Sequence, residues 1–307
     1  MNVALITTVF NEEDSIEKFL DSIVNQTQQP FELVIVDAGS KDKTVAIIKK
    51  YSKKLPLKLF IHRGNRSVGR NFAIKNATSN IIAVTDVGCV LEKHWLERIT
   101  APFKKECDVA AGFYKPSTKN IFEKSLATYT CVPLEKVTEN FLPSSRSVAF
   151  KKNSWETVGG YPEQLDTCED LVFAKKLKMV GLKFIVVKNA VVYWPQRKSI
   201  MGAAKQFFNY ALGDGMAGYY RAQTPLLFGR YIFLAFLVLF LIVTRNSGIY
   251  YFLILIALMY FLWSIFKNYK YIKHPLAFLY LPLLQVVSDF FVILGTSFGT
   301  IKRLMQV

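Results

Sequence analysis

Two apolar runs near the C-terminus constrain this chain more than any other feature. Residues 226–243 and 248–266 are each about as long as the hydrocarbon core of a bilayer requires, roughly 18 to 20 residues. Only residues 244–247 separate them, so they predict a helical hairpin with both outer ends on one side of a membrane. A third run, 276–301, is long enough to span but carries Pro282, Gln285 and Asp289. It is free to cross, re-enter or lie along the interface. The chain is 51% hydrophobic, and the excess gathers after about Leu226. Residues 223–307 therefore read as a transmembrane region of two to three helices, about 226–243, 248–266 and 276–301, and the residues before them as globular.

The charge pattern suggests an orientation. The link 267–274 contains Lys267, Lys270 and Lys273 and is expected to be cytoplasmic, because positive loops are retained on that side. The N-terminal part then lies on the same face. The opening residues, MNVALITTVFNEE, lack the basic and apolar pattern of a secretory leader, which agrees. Three full spans, however, would leave Lys302 and Arg303 on the opposite side. The net charge of +16 suits a lipid surface. No zinc-finger spacing or RNA-binding signature supports nucleic acid as a partner. Lysines such as Lys49, Lys50, Lys175 and Lys176 fall where a solvated helix face explains them. The four cysteines, Cys89, Cys107, Cys131 and Cys168, form no CxxC pair and are expected to be free thiols.

The first ninety residues alternate strand and helix. Residues 3–8, 31–36, 57–62 and 81–85 read as strands. Segments 15–25, 43–51 and 67–76 read as helices, the second with Asp42 as its N-cap. That order predicts βαβ crossovers and a mostly parallel, Rossmann-like sheet. Residues 109–113 and 147–151 look like strands around a looser region with Pro116, Pro133 and Pro143. A helix at 169–180 stops at Gly181, strands follow at 183–187 and 190–194, and 199–220 is an amphipathic juxtamembrane helix.

Ligands of an open α/β sheet bind beyond the carboxyl ends of its strands. Strand one runs into Thr7, Asn11 and Glu12, strand two into Asp37 and the stretch to Thr44, and strand four into Asp86. A helix cap or turn explains any one of these alone, but three such clusters on one rim are hard to explain that way. Asp37 has the chemistry to accept hydrogen bonds from a base edge or ribose. Asp86 suits a ribose or a metal-bound pyrophosphate, since hard cations take oxygen ligands and bridge phosphates. Arg66 and Arg70 follow strand three and are suited either to a phosphate or to salt bridges with Asp37 or Asp86.

The stretches 7–13 (TTVFNEE) and 37–44 (DAGSKDKT) and the Gly69-Arg70-Asn71 step together resemble family 2 inverting glycosyltransferases of the GT-A fold. Ser145-Arg146-Ser147, the stretch 158–163 (VGGYPE) and Glu169-Asp170 extend the similarity over about residues 1–215. The resemblance implies a GT-A catalytic domain over 1–222, including a juxtamembrane segment at 199–222, followed by the membrane region. It implies that Thr7, Asn11 and Glu12 line a nucleotide pocket, that Asp37 contacts the base, and that Asp86 is the first Asp of the family's Asp-x-Asp motif. Asp170, beside Glu169, is the implied catalytic base. A carboxylate at a helix N-terminus stays ionised, as a base for an acidic acceptor requires. The chain departs from the pattern at Gly88, where the family has its second, metal-contacting Asp. Asp86, with Glu92 or His94, is then left to hold Mg²⁺ or Mn²⁺, or basic side chains neutralise the diphosphate instead. Trp194, Arg197 and Asp214 are candidates for the acceptor side, each with a structural explanation beside it.

The implied partners are a nucleotide-diphosphate sugar, a lipid-linked or membrane-proximal acceptor, and the bilayer. A nicotinamide-dependent oxidoreductase would need a glycine-rich turn after strand one, and TTVFNEE has none. A nucleotidyltransferase gives no reason for the C-terminal spans or for Glu169-Asp170. A non-catalytic, membrane-anchored sugar-nucleotide or glycan-binding protein is a further rival, favoured by Gly88 and opposed by the presence of Asp37, Asp86 and Asp170 together.

Overall fold

A computed structural model describes residues 1–305. The last two residues of the expected 223–307 region lie outside the described residues. The chain divides into two compact units, one of residues 1–117 and 131–195, the other of 118–130 and 196–307.

The first unit is built on one sheet. Its opening elements are β1 (Val3–Val9), α1 (Ile16–Val24), β2 (Glu32–Asp37), α2 (Thr44–Lys50), β3 (Leu57–Ile61), α3 (Arg66–Asn76) and β4 (Ile81–Val84). They follow the expected alternation. There follow β5 (Val90–Leu91), α4 (Trp95–Thr100) and β6 (Val109–Ser117), then α5 (Ile121–Thr130), which belongs to the second unit. The unit closes with β7 (Val148–Lys151), α6 (Lys152–Thr157), α7 (Glu169–Met179) and β8 (Phe184–Pro195). The strand order is β3-β2-β1-β4-β7-β6-β8-β5. Strands β3 to β4 are parallel, β7 runs antiparallel to both its neighbours, and β6 and β8 are parallel. The central strands are buried on both faces, which accounts for their continuous Val/Ile/Leu runs. One face packs Leu5, Ile35 and Ala83 against α1 and α4; the other packs Ile6, Val34 and Val84 against α3 and α7.

Several boundaries differ from expectation. Residues 183–187 and 190–194 form the single strand β8, and β6 continues to Ser117. Asp42 does not stand at the helix cap position, which Lys43 occupies, although its Oδ1 accepts the Thr44 N–H at 3.0 Å. The region expected to be loose after 113 contains α5. Its start is organised by Asn120, whose Oδ1 accepts the Glu123 N–H at 2.8 Å, and it buries Phe122 and Leu126.

The second unit is helical: α5, α8 (Ile200–Met216), α9 (Gln223–Thr244), α10 (Ser247–Ile272) and α11 (Ala277–Met305). The last three, of 22, 26 and 29 residues, are long and apolar enough to cross a membrane. The third apolar run is thus one continuous helix despite Pro282, which lies in its second turn and forfeits the backbone bond its missing N–H would make. Helix α8 packs directly on α11, where Gly295 and Gly299 bring the backbones together. A Cβ on either would strike the α8 main chain at Phe208 or Leu212. Phe122, Leu126, Ala203, Phe207 and Leu284 form the core that α5, α8 and α11 share. Helix α9 buries no residue, so its apolar surface is left uncovered among the described residues.

Candidate functional site

The rim at the carboxyl ends of β1, β2 and β4 carries most of the residues singled out by sequence. Two loops are laced together there. The Asn11 N–H donates to Ser40 Oγ at 2.8 Å, while Asn11 Oδ1 accepts the Lys41 N–H at 2.9 Å. The Glu12 N–H donates to Thr44 Oγ1 at 2.7 Å, and the Glu12 carboxylate accepts from Ser15 Oγ. Asn11 adopts a left-handed backbone, φ 52°, to turn the chain here. Asn11 and Glu12 therefore hold the loop that follows Asp37, as well as lying on the rim.

Asp37 is fully buried. Its Oδ1 accepts the N–H groups of Gly39 and Ser40 at 2.8 and 2.7 Å, while Oδ2 is buried without a partner. Strand alternation puts Thr7 and Thr85 on the same face of the sheet as Asp37. Both are fully buried, and both hydroxyls lack a hydrogen-bond partner. Ser67, in the first turn of α3, is a further buried hydroxyl of this kind. Buried polar atoms without partners are costly, on the order of 1–3 kcal/mol each, and their gathering at the carboxyl ends of β1, β2 and β4 makes this rim the candidate ligand site. Sequence reading found Thr7 and Asp37. Thr85 was legible as the residue before Asp86, but nothing distinguished Ser67.

On the other face lies a charged cluster. The Arg70 guanidinium, 1% exposed, donates from Nη2 to Asp86 Oδ1 and from Nη1 to Glu169 Oε1, both at 2.7 Å. It also lies 5.3 Å from the Tyr161 ring. Burial would raise the Asp86 carboxyl, but Arg70, then Arg146 and Arg66, outweigh it and hold Asp86 below the ordinary carboxylate range. Glu169 goes the other way: burial raises it more than Arg70 lowers it, and neighbouring Asp170 adds to the rise. Of the two roles open to Arg70, the structure displays the salt bridge. Asp170 stands in the first turn of α7, entered through Cys168 in a left-handed conformation, φ 67°. Its Oδ1 accepts the Leu171 N–H at 2.8 Å and its Oδ2 accepts the Ser145 N–H at 3.4 Å.

Arg146, to which the sequence alone gives no role, belongs to the same cluster. Its guanidinium lies 4.0 Å from the Trp194 ring and 5.2 Å from that of Tyr114, close enough to Asp86 to depress its carboxyl. A basic residue just before a sheet strand in the Ser145-Arg146-Ser147 step was the available signal. Arg197 and Asp214 belong to the second unit, where Arg221 Nε donates to Asp214 Oδ2 at 2.6 Å.

The companions suggested for Asp86 in holding a metal are engaged elsewhere. Arg98 donates to Glu92 at 2.8 Å, and His94 contacts Thr27 and Glu97 at 3.2 and 3.4 Å. Gly88, φ 94°, has open space where a side chain would project. Among the described residues no three His, Cys, Asp or Glu side chains are grouped to hold a metal. Asp86 alone fits a cation whose remaining ligands are water and substrate phosphate oxygens, the usual arrangement for Mg²⁺.

Residues 4–156 match the family described as Glycosyl transferase family 2. Glycosyltransferase AglE of Haloferax volcanii is 23% identical over 214 residues, covering 67% of this chain and 70% of that protein. The poly(ribitol-phosphate) beta-glucosyltransferase of Bacillus spizizenii is 37% identical over 208 residues, 63% of this chain but only 32% of that longer protein. Among solved structures, the mannosyltransferase PcManGT of Pyrobaculum calidifontis, in complex with GDP-Man and Mn²⁺, covers 99% of this chain and 87% of its own, with a TM-score of 0.73 at 18% identity. That likeness establishes the fold, a GT-A-like sheet followed by helices.

Proposed function

We propose that this chain, whose residues 4–156 are a family 2 glycosyltransferase domain, moves a sugar from a nucleotide-diphosphate donor to a lipid-linked or membrane-proximal acceptor. The transfer is an inverting displacement. The C-terminal helices anchor the enzyme in a bilayer, with the catalytic unit on the cytoplasmic side. The observation that carries the reading is the set of buried, unpartnered polar atoms on Thr7, Asp37, Ser67 and Thr85 beside the Arg70–Asp86–Glu169 cluster.

In this reading Asp37 Oδ2 takes an N–H of the base edge or a ribose hydroxyl, and the Thr7 and Thr85 hydroxyls complete the nucleotide contacts. Arg66 and Arg146 balance the diphosphate. Arg70 remains bound to Asp86 and Glu169 and fixes the distance between them. Asp170 accepts the proton of the attacking acceptor hydroxyl or acid, and the Trp194 ring, stacked on Arg146, flanks the acceptor. Mg²⁺ or Mn²⁺, held by Asp86 and the donor's phosphates, would supply further stabilisation of the departing diphosphate.

The test is a donor screen on membranes carrying the full chain. Release of nucleoside diphosphate is measured for each nucleotide sugar, with and without extracted lipid, and the anomeric configuration of the product is read by NMR. Lipid-dependent release with inversion is expected. Hydrolysis indifferent to lipid would remove the lipid acceptor, and retention of configuration would remove Asp170 as base.

A further inference from the structure

The second unit contains a polar cluster that the reaction does not use. Asp289, 4% exposed in the middle of α11, accepts at Oδ2 from Arg230 of α9, from Tyr231 OH at 3.1 Å and from Tyr260 OH of α10 at 2.5 Å. Its Oδ1 accepts from Gln285 Nε2 at 2.8 Å, and Gln285 Oε1 accepts from Lys267 Nζ at 3.4 Å. Ionisable groups within spanning helices are costly and mark function more often than packing.

Charge within this cluster is unbalanced. Asp289 is the only acidic side chain between residues 223 and 307, against seven Lys and Arg. Two of those cations share one aromatic platform: Lys267 Nζ lies 4.6 Å and the Arg230 guanidinium 5.8 Å from the Trp263 ring. Arg230 Nε is buried and donates to nothing. Trp263, 45% exposed, opens this platform to the surroundings of the helices.

Depth is consistent among the three helices. Helices α9 and α10 form a hairpin, so the start of α9, the end of α10 and the start of α11 lie on one side of a spanned bilayer. Arg230 stands about 10 Å from the start of α9, Lys267 about 8 Å from the end of α10 and Gln285 about 12 Å from the start of α11. Helix α10 is about 39 Å long against a hydrocarbon core of about 30 Å, so the Lys267 ammonium reaches the headgroup level along its own four-carbon stem. Arg230 and the exposed Trp263 lie deeper, about 10 and 13 Å from their helix ends, so two cations flanking this indole match a phosphate drawn just below the headgroup level, with its hydrocarbon along the helices.

We propose that Arg230 and Lys267, on either side of Trp263, bind the phosphate of an anionic membrane lipid. The proposal rests on the membrane reading of the three helices and not on sugar transfer. The same chemistry is offered by a polyprenyl monophosphate and by an anionic phospholipid. Binding to the full-length protein, purified and stripped of lipid, is measured by native mass spectrometry with polyprenyl monophosphate, phosphatidylglycerol and zwitterionic phosphatidylcholine.

Both anionic lipids are expected to exceed phosphatidylcholine. Stronger retention of the polyprenyl monophosphate would identify a polyprenyl lipid as the occupant, and equal retention a bulk phospholipid. Lys267→Met should weaken anionic binding about tenfold, the loss of one charge-assisted contact. Arg230→Met should do the same, and the double variant Arg230→Met/Asp289→Leu covers the case where an uncompensated Asp289 unfolds the single one. Asp289→Asn separates ligation from architecture: it should hold or tighten binding, whereas a purely structural network would lose it. Indifference to headgroup charge, or unchanged binding in Lys267→Met and the double variant, would overturn the proposal.

Discussion

Replacing Arg70 by methionine keeps most of the apolar stem of the side chain and removes the charge that two carboxylates share. Glu169, 6% exposed at its side chain, would then face Asp86 and Asp170 without a cation in contact. Asp86 keeps 29% of its side chain open and has Arg146 and Arg66 nearby, so Glu169 bears the larger cost. Its way out is to take up a proton. For a group with an ordinary pKa of 4.5, that costs about 1.36 kcal/mol per pH unit above it, roughly 3.4 kcal/mol at pH 7 and about 0.7 kcal/mol at pH 5. The first figure agrees with the roughly 3–5 kcal/mol lost when one partner of a buried pair is removed. The sign follows from linkage. The folded pKa of Glu169 is raised, so the penalty is absent below the unfolded pKa and grows as pH rises toward the folded one. Urea unfolding of the full chain in detergent, followed by tryptophan fluorescence at pH 5, 6 and 7, should show Arg70→Met losing more stability at each step upward. Adding Glu169→Gln should return most of the loss at pH 7. A loss below about 1 kcal/mol, or one flat across that range, would mean that Arg70 is not the counter-charge that holds these carboxylates in place.

At the other end of the sheet, Glu32 is 2% exposed and accepts from Lys58, Thr78 and Ser79. Burial raises its carboxyl, but those donors prevail and bring it from the ordinary 4.5 down to about 2. Its contribution is therefore full above pH 4.5 and lost as pH falls toward 2. Glu32→Gln should cost about 3 kcal/mol at pH 7 and show less further loss on acidification than the parent in the same urea titration; equal acid sensitivity would contradict the assignment. Asp170→Asn should abolish transfer while nucleotide still shifts the melting temperature, and turnover within a factor of about ten of the parent would place the base elsewhere. Asp37→Ala should raise the donor KM with kcat less affected, checked by initial rates over a donor series. Chelation by EDTA should stop turnover and Mn²⁺ restore it; full activity in chelator would assign the diphosphate to the arginines alone.

What the sequence revealed follows the range over which each signal acts. The parallel half of the sheet was legible because its strands are buried on both faces and its helices on one, which writes distinct periods into residues 3–85. Asp37 and Asp86 were legible because a strand end delivers its next residue to the rim whatever lies elsewhere. The Arg70 bridge was not, since the choice among a phosphate, Asp37 and Asp86 turns on Glu169, which comes 99 residues later in the chain. The pairing of Arg146 with Trp194 and Tyr114 depends likewise on β6 and β8 lying side by side, a parallel contact that no local pattern announces. Helix α5 was missed for a related reason. Its apolar residues meet α8 and α11, far along the chain, so its amphipathic face has no meaning until those helices are present. In the apolar segment the reverse holds. Length and hydropathy gave the helices, but the polar residues that interrupt the third run, Gln285 and Asp289, leave its course open in the sequence. Inside the bundle they meet Arg230, Tyr231 and Tyr260, and a residue that weakens one helix in isolation becomes the contact joining three.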